Sequence, residues 1–172
     1  YDTWAIVNFG DEYKKKREYL SDRYKSEFDK LLVELNKTDF ENLPKAFVHG
    51  DIISTNVMLD NNSKIWIIDF AVSNYLPRII DLAVIACNMC LDEKSKNNTY
   101  DNISVLLSEY NKYNQLTKYE LKVFGTFYKL ANAMHILQPQ YIIQMDGDSE
   151  ENQYWLNEGI IGYSYSEDET FE

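Results

Sequence analysis

The chain has 172 residues, which suits one compact unit with a proper core and leaves little room for a second domain. Apolar residues make up 45% and charged residues 26%, the balance of a globular chain and not of a disordered one. A formal net charge of −11 repels nucleic-acid phosphates and anionic membranes, so neither is an expected partner; the same charge draws amines and magnesium, and also serves plain solubility.

In chain order, the first periodic stretch covers residues 11–37. Leu20, Tyr24, Phe28, Leu31, Leu32 and Leu35 recur at helical spacing with Lys, Arg, Asp and Glu opposite, which predicts one long amphipathic helix. Residues 36–44 read as its exit loop. The period then shortens. Residues 46–49, 56–60 and 64–70 read as strands, the last two joined by the turn Asp60-Asn61-Asn62-Ser63 into a hairpin. Pro77 precedes a helix expected over 78–91, with Ile79, Leu82, Ala83, Ile85 and Ala86 on its buried face. Further helices are expected over 99–113, 117–138 and 150–161. Thr117 and Glu120 have the spacing of a capping box, and Pro139 is expected to end or kink the third of these four helices. The tail, 164–172, is acidic and expected to fray. The fold class is therefore α+β, mostly α: a helical bundle with a small β-hairpin.

No apolar run approaches the length of a membrane span, the first ten residues do not resemble a signal peptide, and two cysteines make no disulfide framework. The expected location is the cytoplasm.

The chemistry-bearing stretch is Phe47-Val48-His49-Gly50-Asp51-Ile52-Ile53-Ser54-Thr55-Asn56-Val57-Met58-Leu59, followed by Ile65-Trp66-Ile67-Ile68-Asp69-Phe70. A strand delivers His-Gly-Asp into a loop, Asn56 closes the loop, and Asp69 ends the hairpin. Two carboxylates and one amide are thus set at neighbouring strand ends. Asp51 in its loop can meet a substrate hydroxyl. Asn56 and Asp69 offer the hard oxygens that magnesium prefers beside water and phosphate. Phosphoryl transfer needs little else from a protein: an aligned acceptor, a proton acceptor and neutralised phosphate charge.

This stretch resembles the catalytic core of the aminoglycoside phosphotransferase, choline kinase and homoserine kinase group, whose fold is protein-kinase-like. The matching residues are His49, Gly50, Asp51, Asn56, Ile68, Asp69 and Phe70, with Asp81-Leu82-Ala83 beyond them. The resemblance implies that Asp51 is the catalytic base. His49, beside it in the motif, ties the loop to the strand end. Asn56 and Asp69 hold magnesium and so the nucleotide phosphates, while Gly50 and Asp81 support the site. Gly50 stands where most protein kinases carry Arg, and Ala71 where they carry Gly, so a small-molecule kinase is implied over a protein kinase.

No pair of the six glycines makes a phosphate-cradling loop, and no strand lysine precedes the first helix. Residues 1–172 are therefore expected to be a single C-terminal, substrate-binding lobe without the N-terminal ATP-binding lobe, and inactive alone. The implied function is ATP- and Mg2+-dependent phosphorylation of a small-molecule hydroxyl on a homoserine-, choline- or aminoglycoside-like acceptor, a cationic one included. The competing class is a catalytically inactive kinase-like binding module. Oligomeric state is open.

Four weaker signals remain. Cys87 and Cys90 spell C-x-x-C in an apolar helix and read as buried thiols. His135 reads as a packed helix histidine. Arg78 could pair with a substrate carboxylate or be a surface charge. Asp146, Asp148 and Glu150 could hold a cationic substrate or simply face water.

Overall fold

The computed structural model describes residues 1–166; the acidic tail beyond Ser166 lies outside the described residues. It contains six α-helices and two separate two-stranded antiparallel sheets among the described residues, in keeping with the mostly α architecture read from the sequence.

The first periodic stretch is two helices and not one. Helix α1 spans Phe9–Lys16 and α2 spans Asp22–Asn36. Ser21 is the reason: its extended backbone leaves the helix, and its hydroxyl accepts the Tyr24 amide as an N-cap. The two helices still share one core, where Phe9, Tyr13 and Phe28 meet ring against ring.

Strand β1 (Lys45–Val48) pairs with β4 (Asn74–Pro77) in the register Lys45↔Pro77 to Val48↔Asn74. The second sheet is the expected hairpin, β2 (Val57–Leu59) with β3 (Ile65–Ile67). β4 carries no strand signal in the sequence, being four residues long and ending in Pro77. The proline is tolerated because it is the last residue of an edge strand.

Helix α3 (Ile79–Asn88) is almost wholly buried and stops three residues short of the expected end. Helix α4 (Lys96–Tyr113) starts three residues early, at Ser95, whose hydroxyl accepts the Asn98 amide. Helix α5 (Lys118–Asp146) opens on the Thr117–Glu120 capping box, both bonds of which are formed. Pro139 does not end it, and the helix continues for seven residues more. Helix α6 (Glu150–Ser166) runs past its expected end at Ile161.

Helix α5 is the hub, packing against α6, α3, α2 and α1. It buries Phe124, Phe127, Tyr128, Met134, Ile136 and Leu137. Gly159 and Gly162 let α6 lie close on it: a Cβ on Gly159 would fall 2.7 Å from the His135 backbone, and one on Gly162 would collide with the Asn132 side chain. No helix among the described residues is long and apolar enough to cross a membrane.

Candidate active site

The loop after β1 is held by hydrogen bonds from side chains on both sides of it. Asp81, in the first turn of α3, accepts the His49 amide at 3.0 Å and the Gly50 amide at 2.7 Å. The Asp51 amide donates to His49 Nδ1 at 3.2 Å. The ring proton therefore sits on Nε2, which donates to the Ile68 carbonyl at 2.8 Å. With both nitrogens engaged, His49 positions the loop and has no nitrogen left for a reacting group. Gly50 has φ +83°, and a Cβ there would come within 3.4 Å of the Val72 carbonyl, so backbone geometry and space both favour glycine.

Asn56 joins the loop to the hairpin. Its Nδ2 donates to the Asp51 carboxylate at 2.8 Å and to the Asp51 carbonyl at 2.9 Å, which leaves Oδ1 as its remaining polar atom. Its own carbonyl accepts the Ile68 amide at 3.0 Å. Ile68 is thus bonded to Asn56 and to His49, and the next residue is Asp69. Asp69 has φ +61°, a left-handed conformation sparsely used by residues other than glycine, and its Oδ1 accepts the Ala71 amide at 3.3 Å. These bonds tie residues 51, 56 and 68 together, and Asp69 follows directly, with its charge near enough to act on the Asp51 carboxyl. Burial pushes the Asp51 carboxyl above its ordinary value. The Asn56 hydrogen bond pulls it back, and the nearby charges of Asp2 and Asp69 push it up again.

On its other side Asp51 opens on a cavity of about 210 Å³. Trp4, His135 and Trp155 form an aromatic wall, with the His135 ring 6.1 Å from Trp4 and 5.1 Å from Trp155, centre to centre. Ile53, Val84 and Met134 give apolar surface, and Asp2 stands at the rim with Asp51. Among the described residues no Lys or Arg lines it. Burial holds the His135 imidazole down at about 4, so the ring is neutral at pH 7.

Several sequence expectations fall elsewhere. Arg78 does not reach the cavity. It grips the buried Glu120 through Nε at 2.7 Å and Nη2 at 3.0 Å, and also donates to the Gln115 carbonyl at 2.6 Å, fastening the start of α3 to the start of α5. Asp146, Asp148 and Glu150 are exposed and away from the cavity, and Asp148 accepts from Gln153 at 2.9 Å. Cys87 and Cys90 are buried free thiols, as their setting suggested, and Cys87 lines the cavity floor. The aromatic wall had no sequence signal: Trp4, His135 and Trp155 are far apart in the chain, and only the packing of α5 against α6 and the N-terminal segment joins them.

The donor set fits magnesium in a particular way. Among the described residues no group of three or more His, Cys, Asp or Glu is arranged to hold a metal. What exists is one carboxylate and one amide oxygen, at Asp69 and Asn56. That is too little for a protein cage, but it suits an ion that keeps waters and shares phosphate oxygens.

A family model, the phosphotransferase enzyme family, matches residues 5–107 of this sequence, more than half of it. The chain belongs to that family, and with it to the kinase-like phosphotransferases, whose members generally use ATP and magnesium. The match takes in the whole loop, the hairpin and α3. It stops within α4, before the part of the chain that supplies His135 and Trp155. No curated protein matches the chain.

Proposed function

We propose that the chain is the catalytic, acceptor-binding lobe of an ATP- and magnesium-dependent phosphotransferase acting on a hydroxyl of a small molecule. The observation that carries this reading is the Asp51 carboxylate, tied to Asn56 on one side and open to the walled cavity on the other. An acceptor in the cavity brings its hydroxyl to Asp51. With one carboxylate oxygen fixed by Asn56, the other is available to take the hydroxyl proton as the oxygen attacks phosphorus. The raised basicity of the buried carboxylate favours that transfer. Asn56 Oδ1 and the Asp69 carboxylate would hold magnesium, which neutralises phosphate charge when bound.

The cavity's chemistry narrows the acceptor. With two carboxylates and no cation on its walls, it repels a carboxylated or phosphorylated alcohol, which argues against the homoserine-like option. Its small volume and aromatic wall suit a compact alcohol bearing an amine or an apolar flank. Cytoplasmic location remains the simplest setting for such a reaction.

The outer face of the hairpin supports a second, ATP-holding lobe. Leu59 is 69% exposed and Ile65 65%, and Met58, Trp66, Ile67 and Phe70 are exposed beside them. Apolar side chains stand out on both faces of β3, which a strand partnered only by β2 does not explain. A covering lobe that carries the nucleotide does.

The test is phosphoryl transfer from ATP to a panel of small alcohols by the full-length gene product, with Asp51→Asn as the comparison. Loss of the base is expected to lower kcat about 10²–10⁴-fold with KM for ATP little changed. Full rate in the variant would remove Asp51 from the role of base.

A further inference from the structure

The loop from His49 to Asn56 is held at two points by α3. Asp81 takes its first amides. At the far end the Ser54 amide donates to Asn88 Oδ1 at 2.7 Å. Asn88 is the last residue of α3 and is buried. Its Nδ2 donates to Glu158 Oε2 on α6 at 2.9 Å, and Glu158 Oε1 accepts the Tyr154 hydroxyl at 2.6 Å. Trp155, next to Tyr154, walls the acceptor cavity.

Glu158 is only 6% exposed, and burial pushes its carboxyl above the ordinary value. A carboxylate in such a place is costly unless it is hydrogen-bonded, as both oxygens of Glu158 are. These bonds orient an ambiguous group. A side-chain amide has a donor end and an acceptor end of nearly equal shape, and either could turn toward Ser54. Both Glu158 oxygens accept here, one from Asn88 and one from Tyr154. By claiming the NH2 of Asn88, Glu158 turns the oxygen of Asn88 toward the Ser54 N–H. The rest of the loop then follows: the Asn56 amide donates to the Ile53 carbonyl at 3.0 Å, and the Asn56 side chain holds Asp51.

We propose that Asn88 and Glu158 are positioning residues for the phosphoryl-transfer loop, and that through them α6, which walls the acceptor cavity, also sets the far end of that loop. The catalytic part of this rests on the function proposed above; the orientation of the loop does not.

The experiment is amide hydrogen exchange, read by NMR on the full 172-residue chain, comparing Ser54 with Gly50. The Gly50 amide is bonded to Asp81 and serves as an internal control. Asn88→Ala and Glu158→Ala are expected to speed exchange at Ser54 about tenfold or more while Gly50 changes little. Glu158→Gln, which keeps an acceptor for Asn88, is expected to stay within about threefold of the wild type. If Glu158→Ala does not fold, Tyr154→Phe, which loosens the same carboxylate, is expected to speed Ser54 over Gly50 by about threefold. Unchanged Ser54 exchange in the folded variants would overturn the proposal. So would equal loss at Ser54, Gly50 and the core, because that is general destabilisation. The readout needs neither ATP nor acceptor. A Ser54 effect combined with an unaffected Asp51→Asn rate would refute the catalytic reading and leave the loop brace standing.

Discussion

Replacing Asp81 with Ala removes one side chain and two hydrogen bonds. The carboxylate accepts the His49 amide at 3.0 Å and the Gly50 amide at 2.7 Å, both with a charged acceptor. Such bonds contribute about 1.5–3 kcal/mol each. Asp81 is only half-buried, and water can partly replace it, so the lower end applies and the sum is roughly 3 kcal/mol. For a chain of this length that corresponds to a fall in Tm of roughly 6–12 °C. Asp81→Asn should be intermediate, because its oxygen serves one amide while its NH2 confronts the other. Urea unfolding followed by tryptophan fluorescence gives the stability, and exchange at the His49 and Gly50 amides localises the loss. If Asp81→Ala lies within about 0.5 kcal/mol of the wild type, the scale of an ordinary surface change, Asp81 does not buttress the loop.

Two further outcomes follow from buried charge. Arg78→Ala leaves the fully buried Glu120 with only its Thr117 partner, and is expected to cost roughly 3–5 kcal/mol by urea unfolding. A loss below about 1 kcal/mol would mean the pair behaves as an exposed one. Acid is expected to destabilise the chain in two stages. Burial lowers the His135 pKa from 6.5 to about 4, so its share of stability is present above pH 6.5 and is lost as pH falls toward 4. Burial alone would raise Glu12, but its bonds to Lys15, Lys16 and Tyr1 outweigh that and hold it at about 2; its share is present above 4.5 and is lost as pH falls toward 2. His135→Gln should flatten the stability profile between pH 6.5 and 4, and an unchanged slope there would remove His135 as the cause.

The placement of the candidate motif was legible because it is local: His49, Gly50, Asp51 and Asn56 share one loop, and Asp69 follows the hairpin that starts from it. The Thr117–Glu120 cap was legible for the same reason. Ser21 was a local signal too, but the hydrophobic period runs straight across it, and the period hid the break between α1 and α2. β4 was invisible because a four-residue edge strand has almost no pattern of its own. The aromatic wall and the Asn88–Glu158 brace join residues tens of positions apart, which meet through the packing of α6 on α5 at Gly159 and Gly162, of α6 on α3, and of the N-terminal segment on α5. Arg78 shows the opposite error. A charge next to a motif invites a substrate role, yet its partner, Glu120, lies 42 residues on, at the cap of another helix.

The central claim is that Asn56 and Asp69 hold a divalent ion beside Asp51. Titrating Mn2+ with ADP into isotopically labelled protein tests it, because the paramagnetic ion broadens the nearest amide signals first. The account predicts early loss at positions 51, 56 and 69–71, and Asp69→Asn should abolish that loss. Broadening that starts along the acidic stretch 146–151 and spares 56 and 69 would contradict it.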